Sequence, residues 1–189
     1  MARLSLMTNV IVMCLLPGIS HAADTIIGGT VGYQTHSTSS SSGLSSAQER
    51  GINYQIKNGY KLNDISRLYG TYSFNSEDMI QHQGLLVSYD RLFSLDETDQ
   101  ISWFIGASAG LSGHEFQMAD IDQTYYDSSS CYVYGGQTGL MFDFGNAFTS
   151  EIGFRYLKHN FTSSDQSIDA ISLSVNDAEQ VYWGVDFIF

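Results

Sequence analysis

Six charged residues form the first set with chemical potential: Lys57, Arg67, Asp90, Glu151, Arg155 and Asp186. Each sits in a run made mostly of apolar, aromatic and small residues. Charges held away from water must be paired or they cost several kcal/mol each. The set therefore reads as a structural salt-bridge plug, or as an ion path gated by the same pairs. A second set is the histidines His36, His82, His114 and His159. Imidazoles gathered at one mouth can bind a soft divalent metal such as Zn²⁺ or Cu²⁺, or charge near pH 6.5 as a gate. A third possibility is hydrolysis, since His36 precedes Ser37, and His159 is followed by Asn160, Phe161 and Thr162. A hydrolase needs its nucleophile within hydrogen-bond reach of a base that a third group orients. A serine-rich chain brings Ser near His by accident, so neither an enzyme nor a cofactor is expected.

These side chains are carried by period-two runs, and no stretch after Ala22 keeps a helical period. Ile52, Tyr54, Ile56, Tyr60 and Leu62 share one parity, against Asn53, Gln55, Lys57 and Lys61. Trp103, Ile105, Ala107, Ala109 and Leu111 oppose Ser102, Gly106, Ser108 and Gly110. Ile152, Phe154 and Tyr156 oppose Glu151, Gly153 and Arg155, and Val181 to Phe189 alternates against Gly184 and Asp186. Similar runs centre on Tyr33, Tyr72, Val87 and Tyr134, which makes eight. Short connections at Asn63-Asp64, Asp96–Asp99 and Gly145-Asn146-Ala147 take turns with long polar ones. The long ones are Ser37–Gln48, Asn75–His82, Gly113–Ser130 and Asn160–Glu179. That alternation predicts an eight-stranded antiparallel up-and-down transmembrane β-barrel, with both chain ends on the short-turn side. The polar parity is rich in Gly, Ser and Thr rather than Lys and Glu, unlike a solvated face. The six charges and four histidines then fall on the inward parity, the histidines at the long-loop mouth.

The N-terminus is read as an address. Arg3, the apolar stretch Val10–Leu16, Pro17-Gly18 and the small-residue site Ser20-His21-Ala22 make residues 1–22 a Sec signal peptide. The apolar stretch is far shorter than the roughly 20 residues of a membrane-spanning helix. Residues 23–189 are then the barrel domain, expected in the outer membrane of a Gram-negative bacterium. The formal charge of −12, from 8 Lys+Arg against 20 Asp+Glu, argues against a nucleic-acid partner. With Cys14 in the signal, Cys131 is left alone and no disulfide framework is expected.

Gly51-Ile52-Asn53-Tyr54, Glu151–Tyr156 and above all Val181-Tyr182-Trp183-Gly184-Val185-Asp186-Phe187-Ile188-Phe189 carry a family resemblance. The chain resembles the small outer-membrane β-barrels, meaning the OmpA-like transmembrane domain and the OmpX/Ail-like proteins. The resemblance implies that Phe189, with Phe187 and Trp183, is the signal read by the outer-membrane assembly machinery. It also implies outer-membrane lipid and lipopolysaccharide as surroundings, and no peptidoglycan-binding domain after Phe189. Loops two to four hold Glu77, Asp78, Glu115, Asp120, Asp122, Asp127, Asp165, Asp169, Asp177 and Glu179 without a Lys or Arg. An adhesin role through basic loops is therefore disfavoured. The expected function is non-enzymatic, envelope-structural or surface-interacting. A narrow pore for small solutes is the alternative, and a lipid-modifying enzyme stands behind it.

Overall fold

The computed structural model describes residues 24–40, 47–76, 80–119, 124–145, 147–160 and 173–189. The signal-peptide reading of residues 1–22 lies outside that set. Eight strands follow in chain order: β1 (Asp24–Ser40), β2 (Ala47–Asn63), β3 (Ser66–Ser76), β4 (Ile80–Ser94), β5 (Ile101–Ala119), β6 (Thr124–Asp143), β7 (Phe148–Asn160) and β8 (Leu173–Ile188). Each pairs antiparallel with its neighbour, and β8 returns to β1, closing the barrel. Closure removes every sheet edge within the wall, the condition for a β-structure to span lipid.

The register sets the geometry. Stepping between paired residues from Ile26 through Gly59, Tyr69, Ser88, Ser108, Gly135, Leu157 and Ala178 returns to β1 at His36, ten residues above the start. Eight strands with that stagger tilt by about 41° and leave a backbone radius of about 8 Å. Such a bore is filled by side chains alone.

The alternation in the sequence becomes the two faces of the wall. Outward residues are apolar and exposed, among them Ile27, Ile56, Val87, Ile105, Ile152 and Val181. On β8 the outward face descends from Glu179 through Val181, Trp183, Val185 and Phe187 to Phe189. At the tilt given above this stretch is about 26 Å tall, the height of a membrane-facing band. Aromatic pairs mark its borders. Tyr54 stacks on Phe74 at 5.7 Å near the loop end, and Phe93 stacks on Trp103 at 5.2 Å near the turns. Phe148 meets Phe187 at 5.6 Å on that same lower border. Both tryptophans solve one problem identically. Trp103 donates its indole N–H to Thr138 Oγ1 at 2.8 Å, and Thr138 donates to the Phe104 carbonyl. Trp183 donates to Ser150 Oγ at 3.0 Å, and Ser150 donates to the Gly184 carbonyl. An indole N–H facing lipid has no water to bond, and the hydroxyl on the next strand supplies the acceptor.

The three short turns lie where the sequence placed them. In the β4–β5 turn, hydrogen bonds from the Thr98 hydroxyl and the N–H groups of Ile101 and Gln100 hold the Asp96 carboxyl below the usual carboxylate range. Gly145 adopts φ +116°, a conformation that suits glycine, in the β6–β7 turn. The long connections differ from expectation. The stretch read as a loop over Gly113–Ser130 continues as a hairpin to Ala119 and resumes at Thr124, with Ala119 paired to Thr124. Likewise β1 reaches Ser40, β3 reaches Ser76, and β8 begins at Leu173, within stretches read as loops. Polar strand segments above a membrane have no buried face, so apolar alternation cannot reveal them.

Candidate functional site

Five of the six charged residues meet in the turn-side half of the lumen. Lys57 on β2 reaches Glu151 Oε1 at 2.6 Å and Asp186 Oδ2 at 2.9 Å. Arg67 on β3 touches all three carboxylates: Asp90 at 2.8 Å, Glu151 at 2.7 Å and Asp186 at 3.3 Å. Its Nε also donates to that same oxygen, Asp90 Oδ2, at 2.9 Å. None of these five side chains is more than 2% exposed. The rings of Tyr69 and Phe104 enclose the guanidinium of Arg67 at 5.2 and 5.0 Å.

Arg155 departs from expectation. In the sequence it reads as one more member of the charge-paired plug. Its side chain instead leads to a layer of amides above. Nε donates to Gln137 Oε1 at 2.8 Å and Nη1 to Gln55 Oε1 at 3.0 Å, with the Tyr182 ring 5.1 Å away. The tilt of the strands explains this, since four residues along β7 carry Arg155 a full layer higher than Glu151. Its charge is coupled to the lower layer through Gln137, whose Nε2 donates to Asp90 Oδ1 and to the Tyr69 hydroxyl, each at 2.5 Å. Gln55, Gln180 and Asn53 complete the amide layer through bonds of 2.7 to 3.1 Å. Within this set three cations balance three carboxylates.

Glycines make room for this filling. Asp186, Asp90, Glu151, Tyr69, Phe104 and Tyr182 each lie directly across from one: Gly28, Gly106, Gly184, Gly59, Gly139 and Gly153. A Cβ on Gly106 would collide with Asp90 Oδ1, and one on Gly153 would sit 2.5 Å from the Tyr182 ring. The aromatic members Tyr69, Phe104 and Tyr182 were missed in the sequence, although each stands on the polar parity of its run. Among the described residues a cavity of about 30 Å³ opens on the loop side and one of about 20 Å³ on the turn side.

The histidines stand at the other end. His36, His82, His114 and His159 all continue the luminal parity of their strands, and His82 pairs directly with His114. His159 lines the loop-side cavity. The side chains of His36, His82 and His114 lie outside the described set. Among the described residues no three His, Cys, Asp or Glu side chains group as metal ligands. The hydrolase pairing is likewise untouched, because Ser37 and Thr162 fall outside the described side chains. Phe189 sits on the turn-side border, 74% exposed, while its backbone exchanges two 2.9 Å hydrogen bonds with Thr25. Phe187 and Trp183 share its outward face.

A closed eight-stranded antiparallel barrel with an apolar outer band, aromatic borders and a charged, filled lumen defines the class: the small outer-membrane β-barrel fold. Solved structures bear this out. Neisserial surface protein A (NspA) matches with a TM-score of 0.65 and 18% identity, over 87% of this chain and 97% of that one. Outer membrane protein H (OprH) of Pseudomonas aeruginosa matches at 0.59 and 23%, over 88% and 100%. OprG, an outer membrane protein of the same species, matches at 0.52 and 12%, over 89% and 96%. No family model and no curated protein sequence matches the chain.

Proposed function

We propose that this chain is an outer-membrane barrel with a closed lumen, whose role is structural or exercised at the cell surface through its loop-side rim. The observation that carries this reading is the span of Arg67 and Lys57 across the bore, tying carboxylates from β4, β7 and β8 into one dry cluster. A solute would have to break several buried ion pairs to pass, and each break leaves an uncompensated charge. NspA is by its name a surface protein, which accords with a rim function. Lipopolysaccharide and lipid would contact the outer band, and the assembly machinery would read Phe189. The test is planar-bilayer recording of the refolded residues 23–189. The expected trace is flat, and the Arg67→Ala/Lys57→Ala double variant should begin to conduct. Reproducible steps from the wild type would overturn the closed-lumen reading in favour of a narrow pore.

A further inference from the structure

Asn58 is out of place on the barrel wall. On β2 it shares the outward parity of Ile52, Tyr54, Ile56, Tyr60 and Leu62, while Lys57 and Gly59 on either side of it are buried. Two residues up β8 from Phe189, and then two paired steps across the seam from Phe187 through Ile27, lead to Asn58. Each residue along a strand rises about 2.5 Å and each step across rises about 3 Å. Asn58 therefore stands about 11 Å above the lower edge of a band about 26 Å tall, near the middle of the membrane. Among the described residues no hydrogen bond reaches its side-chain amide. The outward hydroxyls of Thr138 and Ser150, in contrast, are bonded on both sides. A primary amide without a hydrogen bond is costly in hydrocarbon.

Glycines flank it. Gly70 is its paired residue on β3, and Gly29 on β1 is paired with Ile56, diagonal to it. The luminal glycines each answer a side chain lying opposite, as Gly106 answers Asp90. These two do not. A Cβ on Gly29 would meet only the Gln55 carbonyl at 3.5 Å, and one on Gly70 nothing nearer than 3.8 Å. Neither residue has a positive φ or sits at a register shift. A strand glycine that serves no bulge and no crowded neighbour marks a place where another backbone comes close.

From these observations we infer that the β1–β3 face around Asn58 is a docking surface, within the membrane, for a second copy of this chain. An amide both donates and accepts. Two copies related by a two-fold axis can therefore exchange a pair of hydrogen bonds between their Asn58 side chains. Gly29 and Gly70 let the two walls approach closely enough for that exchange. Lipid supplies no hydrophobic drive between membrane segments, so small residues beside a hydrogen-bonding side chain are a common means of association there. Ile27, Ile56 and Leu68, each at least 40% exposed, rim the hollow and supply its packing surface. An acyl chain fits the same hollow but leaves the amide unbonded.

The test is energy transfer between donor- and acceptor-labelled copies of refolded residues 23–189 in lipid vesicles, over a range of lipid-to-protein ratios. Cys131→Ser removes the buried thiol, and Asp64→Cys carries the dye on the exposed β2–β3 turn below the proposed interface. Expected is transfer well above that of random encounter, lost on dilution with lipid. Asn58→Leu and Gly70→Val should each weaken the association by about fivefold or more, while keeping the heat-dependent gel mobility of a folded barrel. If either loses that mobility, Asn58→Ala or Gly70→Ala takes its place. Gly136→Val, on the opposite wall at β6 where an added Cβ also finds space, should leave the association unchanged. Random-level transfer in the parent protein would overturn the proposal, as would parent-level association of the Asn58 variant. Equal weakening by Gly136→Val would overturn it too, by showing that the contact is not confined to this face.

Discussion

Replacing Arg67 by Met keeps most of the side chain's bulk and removes the cation that touches Asp90, Glu151 and Asp186. The consequence is uneven. Glu151 and Asp186 keep Lys57 at 2.6 and 2.9 Å. Among the described residues Asp90 loses its only ion-pair partner, retaining neutral donors in the Tyr69 hydroxyl and the Gln137 amide. One buried carboxylate without its cation should cost about 3–5 kcal/mol. Adding Asp90→Asn removes the stranded charge at constant shape, and the pair should show a coupling energy of about 2–3 kcal/mol. Adding Glu151→Gln to Arg67→Met should recover much less, because Glu151 was never left alone. The assay is urea unfolding of the barrel in lipid vesicles, followed by Trp103 and Trp183 fluorescence and by gel mobility without heating. A cost under about 1 kcal/mol for Arg67→Met would refute the dry-plug reasoning, for only a wet, screened lumen is so tolerant. Equal rescue by Glu151→Gln and Asp90→Asn would refute the assigned pairing.

Gly106→Ala should destabilise the barrel by about 1–3 kcal/mol, because the added methyl meets Asp90 Oδ1 and the Tyr89 carbonyl. Gly136→Ala, whose added Cβ finds only a 3.5 Å neighbour, should be nearly neutral in the same urea titration. Thr138→Val leaves the Trp103 indole without its acceptor at constant shape, with an expected loss of about 1–2 kcal/mol. The paired control, Ser150→Ala, should act on Trp183 and leave the fluorescence of Trp103 unchanged. Phe189→Asp should keep the protein out of the outer membrane, and fractionation showing normal heat-modifiable protein there would sink the terminal-signal reading.

Much of the wall was legible because the membrane imposes a strict rule on it. Ile52, Tyr54 and Ile56 face lipid while Asn53, Gln55 and Lys57 face the bore, and period two alone states this. The pairing of Glu151 with Lys57 and Arg67 was also within reach, as few charges share that parity. Other features depend on which residue stands opposite which, and that depends on the accumulated stagger of all eight strands. Hence Arg155 landed on Gln137 and Gln55 rather than on a carboxylate. Hence too Gly28, Gly106 and Gly153 showed no sign of being mates for Asp186, Asp90 and Tyr182. The aromatics Tyr69, Phe104 and Tyr182 carried a usable signal, their parity, but their apolar character masks a luminal position.

The ion pairs of the plug also impose an order of events on folding. Lys57 and Asp186 are 129 residues apart, and Lys57 and Glu151 are 94 apart. The partners from β7 and β8 can reach β2 and β3 only once the sheet has curled and β8 has met β1. Until that seam zips, the six charges line an open trough and keep their hydration. Contacts of such long separation carry a large loop-closure cost and form late. Sealing of the seam and dehydration of the interior are therefore one step. A chain stalled before it would hold a wet, charged gutter against the bilayer, the state from which it is easiest to fall back out.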